Sequence, residues 1–288
     1  MSRLQHLRGE YHRRICQDIL GEKKGILNNA DSGSKTSREL ARGIAKRLPY
    51  PLSTRPPSGQ TVGSLFEKVT AWFLEEALQM LAHIRPGKWG FFVAEARTPA
   101  RNITYFEQYE HLASLSRIIS DHPELAAVLG SEYLVKPDIL IGRYPLDDAE
   151  IDAREIILRG SEDIARLTPL RKKNRAQGTL ILHASISCKW TIRSDRSQNI
   201  RTEALNLIRN RKGHTPHIVA VVAEPMPTRI ASLALGTGDI DCVYHFALPE
   251  LIAAVRESAN ESQQEMLETL IEGRRLRDIA DLPFDLAA

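Results

Sequence analysis

Residues 179–203 constrain the fold more tightly than any other stretch of the chain. Thr179-Leu180-Ile181-Leu182-His183-Ala184 is an apolar run of strand length, and Ser185-Ile186-Ser187-Cys188-Lys189 continues it. Period-two alternation puts Ser187 and Lys189 on one face, Ile186 and Cys188 on the other. The period then becomes helical. Counting back from Glu203, Asn199 and Arg196 share one helix face, while Ile200, Ala204, Leu207 and Ile208 form the packing side. Glu203 lies about two turns, roughly 10 Å, from Arg196.

A second strand bears on the first. Pro137 suits a strand start because it has no N–H to give a ladder, and Asp138 opens the apolar run Ile139-Leu140-Ile141-Gly142. An acidic residue there is costly to bury unless it meets a cation or a metal. Asp138 on one core strand, with Ser187 and Lys189 on its neighbour, would suit phosphodiester hydrolysis. The carboxylate would hold Mg²⁺, and the lysine would orient or deprotonate water and counter charge in the transition state. A lysine that closes an apolar strand is otherwise a solvated strand end.

Ser194 or Asp195 can cap the helix that follows, so Arg193, Asp195 and Arg196 project from its first turn. A helix N-terminus favours phosphate and can enter a major groove. Arginine pairs bidentately with guanine O6 and N7, and aspartate accepts from cytosine N4, so this set suits G·C pairs. The alternative is a surface salt-bridge cluster of little energetic weight.

Pro-Asp, a spacer, a Ser-x-Ser-Cys-Lys strand and a later glutamate resemble the PD-(D/E)XK nucleases. More narrowly, they resemble the type II restriction endonucleases that cut CCGG-containing sites. His183–Arg196, Arg209-Asn210-Arg211-Lys212-Gly213, Ala234-Leu235-Gly236-Thr237-Gly238 and Asp241–Phe246 carry the likeness. It is weakest near the N-terminus and around 143–178. Ser187 departs from the wider superfamily, which has Asp or Glu two positions before the lysine. In the CCGG group the missing carboxylate moves to the following helix, where Glu203 fits.

The resemblance implies further roles. Glu67 would come to the catalytic centre and Gln60 to the minor groove. Asp31 and Arg229 would read the outermost G·C pair, extending CCGG to GCCGGC. Asp138 and the main-chain carbonyl of Cys188 would hold Mg²⁺, with Ser187 as a hydrogen-bonding aid. Double-stranded DNA would be cut to a 5′-phosphate and a 3′-hydroxyl. The assembly would be a homotetramer, a dimer of dimers. Without the resemblance, Glu203 and Glu67 read as surface glutamates and Asp31 as a loop residue.

The rest of the chain supplies the frame. Apolar positions predict helices over 3–20, from about Arg38 to Leu48, from Gln60 through Leu81, over 104–120, and over 249–258 and 260–275. Residues 49–59 are proline-rich and extended. Further strands are expected at Lys88–Ala94, His217–Ala223 and Asp241–Leu248, with Glu224–Arg229 a rigid loop. Residues 143–178 are poorly specified. Their basic run, Arg171-Lys172-Lys173-Asn174-Arg175, reads as solvated or as phosphate-contacting. His214 and His217 read as structural or surface residues. The expected architecture is α/β: helices around a mixed central sheet of about five strands, a restriction-endonuclease-like core in one domain, 1–288.

Composition sets bounds. The net charge of +3 permits a nucleic-acid partner without demanding one. Cys16, Cys188 and Cys242 lack metal-ligand spacing and form no even disulfide framework, as expected of a reducing cytoplasm. There is no run long enough for a membrane span and no signal-peptide shape. Two rival readings are a structure-specific PD-(D/E)XK repair nuclease and a non-catalytic DNA-binding protein on a nuclease-like fold. Intact Asp138, Lys189 and Glu203 weigh against the second.

Overall fold

The computed structural model describes the chain apart from residues 94–98, 123, 125–134, 159–163, 173–178, 193 and 237. At 60, 99, 120 and 194–197 it describes the backbone only. The described elements run α1 (Arg3–Asp18), β1 (Glu22–Lys23), β2 (Ile26–Leu27), α2 (Lys35–Arg47), α3 (Gln60–Met80) and β3 (Trp89–Val93). Then come α4 (His111–Asp121), β4 (Ile139–Arg143), α5 (Asp148–Ile151), β5 (Ile181–Lys189), α6 (Ser194–Asn210) and β6 (His217–Val222). The chain closes with α7 (Pro227–Ala234), β7 (Cys242–His245), α8 (Leu248–Ser258), α9 (Glu261–Glu272), β8 (Leu276–Asp278) and α10 (Leu282–Ala287).

Six strands hydrogen-bond in the order β3-β4-β5-β6-β7-β8, and β1 with β2 forms a separate hairpin. The main sheet is mixed, as the sequence predicts: β3 and β4 are antiparallel, whereas β6, β7 and β8 run parallel. β8 is the strand that the sequence pattern does not single out. The chain divides into two compact units, one of residues 1–86, 186–205 and 217–288, the other of 87–185 and 206–216.

In the first unit, β6 and β7 are almost wholly apolar and buried, as parallel strands covered on both faces must be. α1 starts with a capping box between Ser2 and Gln5. Its Arg8 guanidinium holds two carboxylates, Glu250 at 2.7 and 3.0 Å and Asp278 at 2.8 Å. Asp278 also accepts the N–H of Leu248 at 3.0 Å, which ties β8 to the start of α8. Three residues of β8 have little core of their own, and this charged junction fixes their place.

In the second unit, the predicted helix over 104–120 is shorter. Residues 99–109 form successive 3₁₀ turns, and α4 begins at His111. The turns clasp the start of β5. The Gln108 amide donates to Leu182 O at 2.8 Å and accepts the Leu182 N–H at 2.9 Å, as a neighbouring strand would. Gly142 allows that packing, because a Cβ there would lie 2.8 Å from the Phe106 ring and 3.0 Å from Leu180. Among the described residues of 143–178, Arg171 has a buried side chain that is bidentate to Asp148.

Candidate functional site

β5 is buried along its whole length until its last residue, Lys189, which is half-buried. Its end is fixed through the main chain: the Ala223 N–H donates to Lys189 O at 3.0 Å. Trp190 follows and is buried. Its ring meets Phe66 edge-on at 5.2 Å and tilts against Phe246 at 6.2 Å. Phe66 precedes Glu67 on α3, so one aromatic contact seats both the lysine strand and the helix carrying that glutamate. Ser187 and Cys188 are buried; Glu67 is half-buried.

Glu203 is half-buried on α6, whose Ile200, Ala204 and Leu207 are buried, the packing side expected of them. Arg201 sets the rotation of this helix. It donates to Ser232 O at 3.1 Å and Asp239 at 3.2 Å, and also to Leu235 O. Gly236 leaves space for it, because a Cβ there would overlap the Arg201 guanidinium. In the second unit Asp138 is half-buried at the start of β4, between buried Pro137 and buried Ile139.

Among the described residues no three His, Cys, Asp or Glu side chains gather into a metal cluster. Mg²⁺ does not need one: it keeps several waters and takes one or two carboxylates, at hard oxygen donors. The Asp138 carboxylate and the Cys188 carbonyl, the two ligands expected from the sequence, are each an oxygen donor of that kind. The Cys188 thiol is not.

Arg193 lies outside the described residues, as do the side chains of Gln60, Asp195 and Arg196. Asp31 and Arg229 are described, and they meet as an ion pair. The Asp31 Oδ1 accepts the Gly33 N–H at 2.9 Å, and its own N–H donates to Ser37 Oγ at 2.9 Å, just after the Ser34 cap of α2. Arg229 stands in the first turn of α7. Residues 227–229 are therefore helical, which corrects the rigid loop expected through Arg229. Pro227 at the first helical position explains the start, since it has no N–H to leave unpaired. Asp31 and Arg229 line an open cleft of about 550 Å³ with Thr191 and Ile192, the two residues that precede Arg193. The cleft thus joins the pair expected to read the outer base pair to the start of the helix expected to read CCGG.

Sequence reasoning missed what lies beneath that pair. Glu224 is buried, 1% exposed. Its Oε2 accepts the Ile192 N–H at 2.9 Å, its Oε1 accepts the Met226 N–H at 3.3 Å, and the Arg229 guanidinium lies 4.0 Å from Oε1. Burial pushes its carboxyl up to about 7, against the pull of these donors and of Arg229. Asn29 Nδ2 donates to Ala223 O at 3.1 Å, tying the Asp31 loop to the same segment. His245 accepts the Ala247 N–H on Nδ1, so Nε2 carries the proton and donates to Glu224 O at 3.2 Å. Burial holds this imidazole down to about 4. The signal was available: an acid directly after a buried apolar strand sits where α/β sheets place ligands.

Among the described residues no helix is long and apolar enough to cross a membrane. The family model described as NgoMIV restriction enzyme matches residues 11–288. The chain is 45% identical over 280 residues to the type II restriction enzyme NgoMIV of Neisseria gonorrhoeae, with 96% of each chain covered. With the strand ending in Lys189, the helix carrying Glu203 and the paired Asp31 and Arg229 all in place, the chain belongs to the NgoMIV restriction enzyme family.

Proposed function

We propose that this restriction enzyme hydrolyses double-stranded DNA at the palindrome GCCGGC, with Mg²⁺ as cofactor, leaving a 5′-phosphate and a 3′-hydroxyl. The observation that carries the site assignment is the cleft in which the Asp31–Arg229 pair adjoins the start of the recognition helix. An aspartate accepting from cytosine N4 beside an arginine donating to guanine O6 and N7 is matched to one G·C pair. Arg193, Asp195 and Arg196 read the four inner pairs, and Gln60 touches the minor groove.

Asp138 and the Cys188 carbonyl would hold the metal, which when bound would supply charge neutralisation at the phosphate and acidify water there. Lys189 orients the attacking water and counters the charge that builds on the phosphoryl oxygens. Glu203 takes the place of the acidic residue that Ser187 cannot provide, and Glu67 completes the outer shell. Ser187 contributes a hydroxyl donor on the lysine's face of the strand. Twofold protein symmetry suits a palindrome, and we infer a homotetramer of two dimers.

Digestion of a plasmid carrying two GCCGGC sites, with Mg²⁺ or with chelator, followed by end sequencing, tests the reading. Metal-dependent cuts confined to GCCGGC are expected. Cuts at other CCGG-containing sites would remove the outer-pair assignment. Tight binding without cutting would favour a non-catalytic DNA-binding protein.

A further inference from the structure

We propose that Glu224 is a specificity-determining positioning residue, whose buried carboxylate couples the start of the CCGG-reading helix to the arginine that reads the outer base pair. This rests on the outer-pair reading of Asp31 and Arg229 given above.

The geometry divides the two oxygens between two tasks. Oε2 takes the Ile192 N–H at 2.9 Å and so holds the main chain two residues before α6 begins. Oε1 takes the Met226 N–H at 3.3 Å and faces Arg229 Nη1 at 4.0 Å. Arg229 is a planar fork, and two carboxylates hold it: Asp31 at Nη2 and Glu224 beside Nη1. The same short segment pins the lysine strand, through Ala223 N–H to Lys189 O at 3.0 Å. A buried, ionised carboxylate is costly, and a hydrophobic or amide side chain would cost less there. Its place between these donors gives it a use that packing alone does not.

Among the described residues, three titratable or charged groups face Glu224. Arg229 draws it toward the charged form, Asp31 pushes it toward the neutral form, and His245 binds its main-chain carbonyl from β7. His245 stays neutral near physiological pH because burial holds it down to about 4. When Glu224 takes up a proton, Arg229 loses one of its two anchoring charges and the Ile192 N–H loses a charged acceptor. Outer-pair discrimination should weaken together with the placement of the core-reading helix. A residue that merely filled space would leave discrimination unaffected by pH.

The test uses the full-length enzyme with Mg²⁺ and duplexes that keep CCGG but vary the outer pair. The readout is the ratio of kcat/KM for GCCGGC over the variant sites. Glu224→Gln should lower that ratio about tenfold, within the range that a bidentate base contact supplies. The wild-type ratio should fall in the same direction from about pH 8.5 to about pH 6, and the E224Q ratio should stay flat, as expected for a group that titrates near neutrality. Arg229→Ala is the control for the underlying reading. If R229A leaves the ratio unchanged, the outer-pair reading fails and this inference falls with it. If R229A collapses the ratio while E224Q leaves it intact, Glu224 alone is excluded. Should E224Q not fold, as judged by its melting curve, the wild-type pH series decides, and a flat ratio overturns the proposal.

Discussion

Arg229 and Asp31 stand 198 positions apart in sequence and meet as an ion pair across an open cleft. Their side chains are 31% and 39% exposed, so the pair contributes only about 0–1 kcal/mol to stability. Both side chains keep enough exposure to exchange each other for a base pair. Asp31→Asn should therefore melt within about 3 °C of the wild type. The same substitution should relax discrimination at the outer pair while cutting of the CCGG core persists. A large drop in melting temperature with unchanged discrimination would make the pair structural.

Chemistry and binding should separate at the two residues proposed to be catalytic, Asp138 and Lys189. Asp138 and Lys189 are half-buried at opposite ends of their strands, Asp138 just before β4 and Lys189 closing β5. Neither completes an apolar layer, so Asp138→Ala and Lys189→Ala should fold. Cleavage should drop by a factor on the order of 10²–10³ or more, the loss typical of a group that stabilises transition-state charge. Affinity for a GCCGGC duplex should stay within about threefold at fixed salt, because most affinity comes from phosphate contacts elsewhere. Gel-shift and single-turnover assays on one preparation check this. Loss of binding in step with cleavage would reassign these residues to DNA contact.

Phe66 links two parts of the candidate site. It is fully buried, and its ring meets Trp190 at 5.2 Å, one residue from Glu67 on one side and one from Lys189 on the other. Phe66→Ala should cost about 3–5 kcal/mol by lost burial and a residual cavity, measured by urea unfolding. Phe66→Leu keeps most of the volume and should cost less. Under conditions where both remain folded, kcat should fall more in F66A than in F66L, since α3 and the end of β5 lose their shared contact. Equal kcat in the two variants would show that the aromatic contact has no bearing on catalysis.

What the sequence made legible follows from how strongly each residue's neighbours in the chain determine it. The strand ending in Lys189 and the packing side of α6 could be read because burial repeats with a fixed period, and Ile200, Ala204 and Leu207 are buried as that period requires. Alternation along Ser185–Lys189 separated two faces, yet β5 is buried on both, so the pattern understated how deep the strand lies. β8 was invisible because its place depends on Arg8 and Asp278, 270 positions apart. The 3₁₀ turns over 99–109 follow from Gln108 imitating a strand, which no local pattern encodes. Glu224 read as part of a loop because proline flanks it, and its burial is decided by Ile192 and Arg229.

Glu224 also makes stability depend on pH with an unusual sign. Its folded carboxyl titrates near 7 and that of an exposed glutamate near 4.5, with burial as the leading cause. Between those values the folded protein keeps a proton that the unfolded chain has released. Unfolding then releases a proton, so this group's contribution falls as pH rises, the reverse of a salt-bridged carboxylate. The penalty is absent below about pH 4.5 and fully developed above about pH 7, on the order of 3 kcal/mol. Glu224→Gln removes the titration but forfeits one acceptor for the Ile192 or Met226 N–H. The variant should therefore gain stability relative to wild type on moving from about pH 5 to about pH 8, whatever its standing at the lower value. Urea midpoints for both proteins across that range measure the difference directly. All other carboxylates cancel in it to the extent that the substitution leaves them undisturbed. Parallel curves would mean that Glu224 remains ionised throughout, with Arg229 and the two N–H donors outweighing burial.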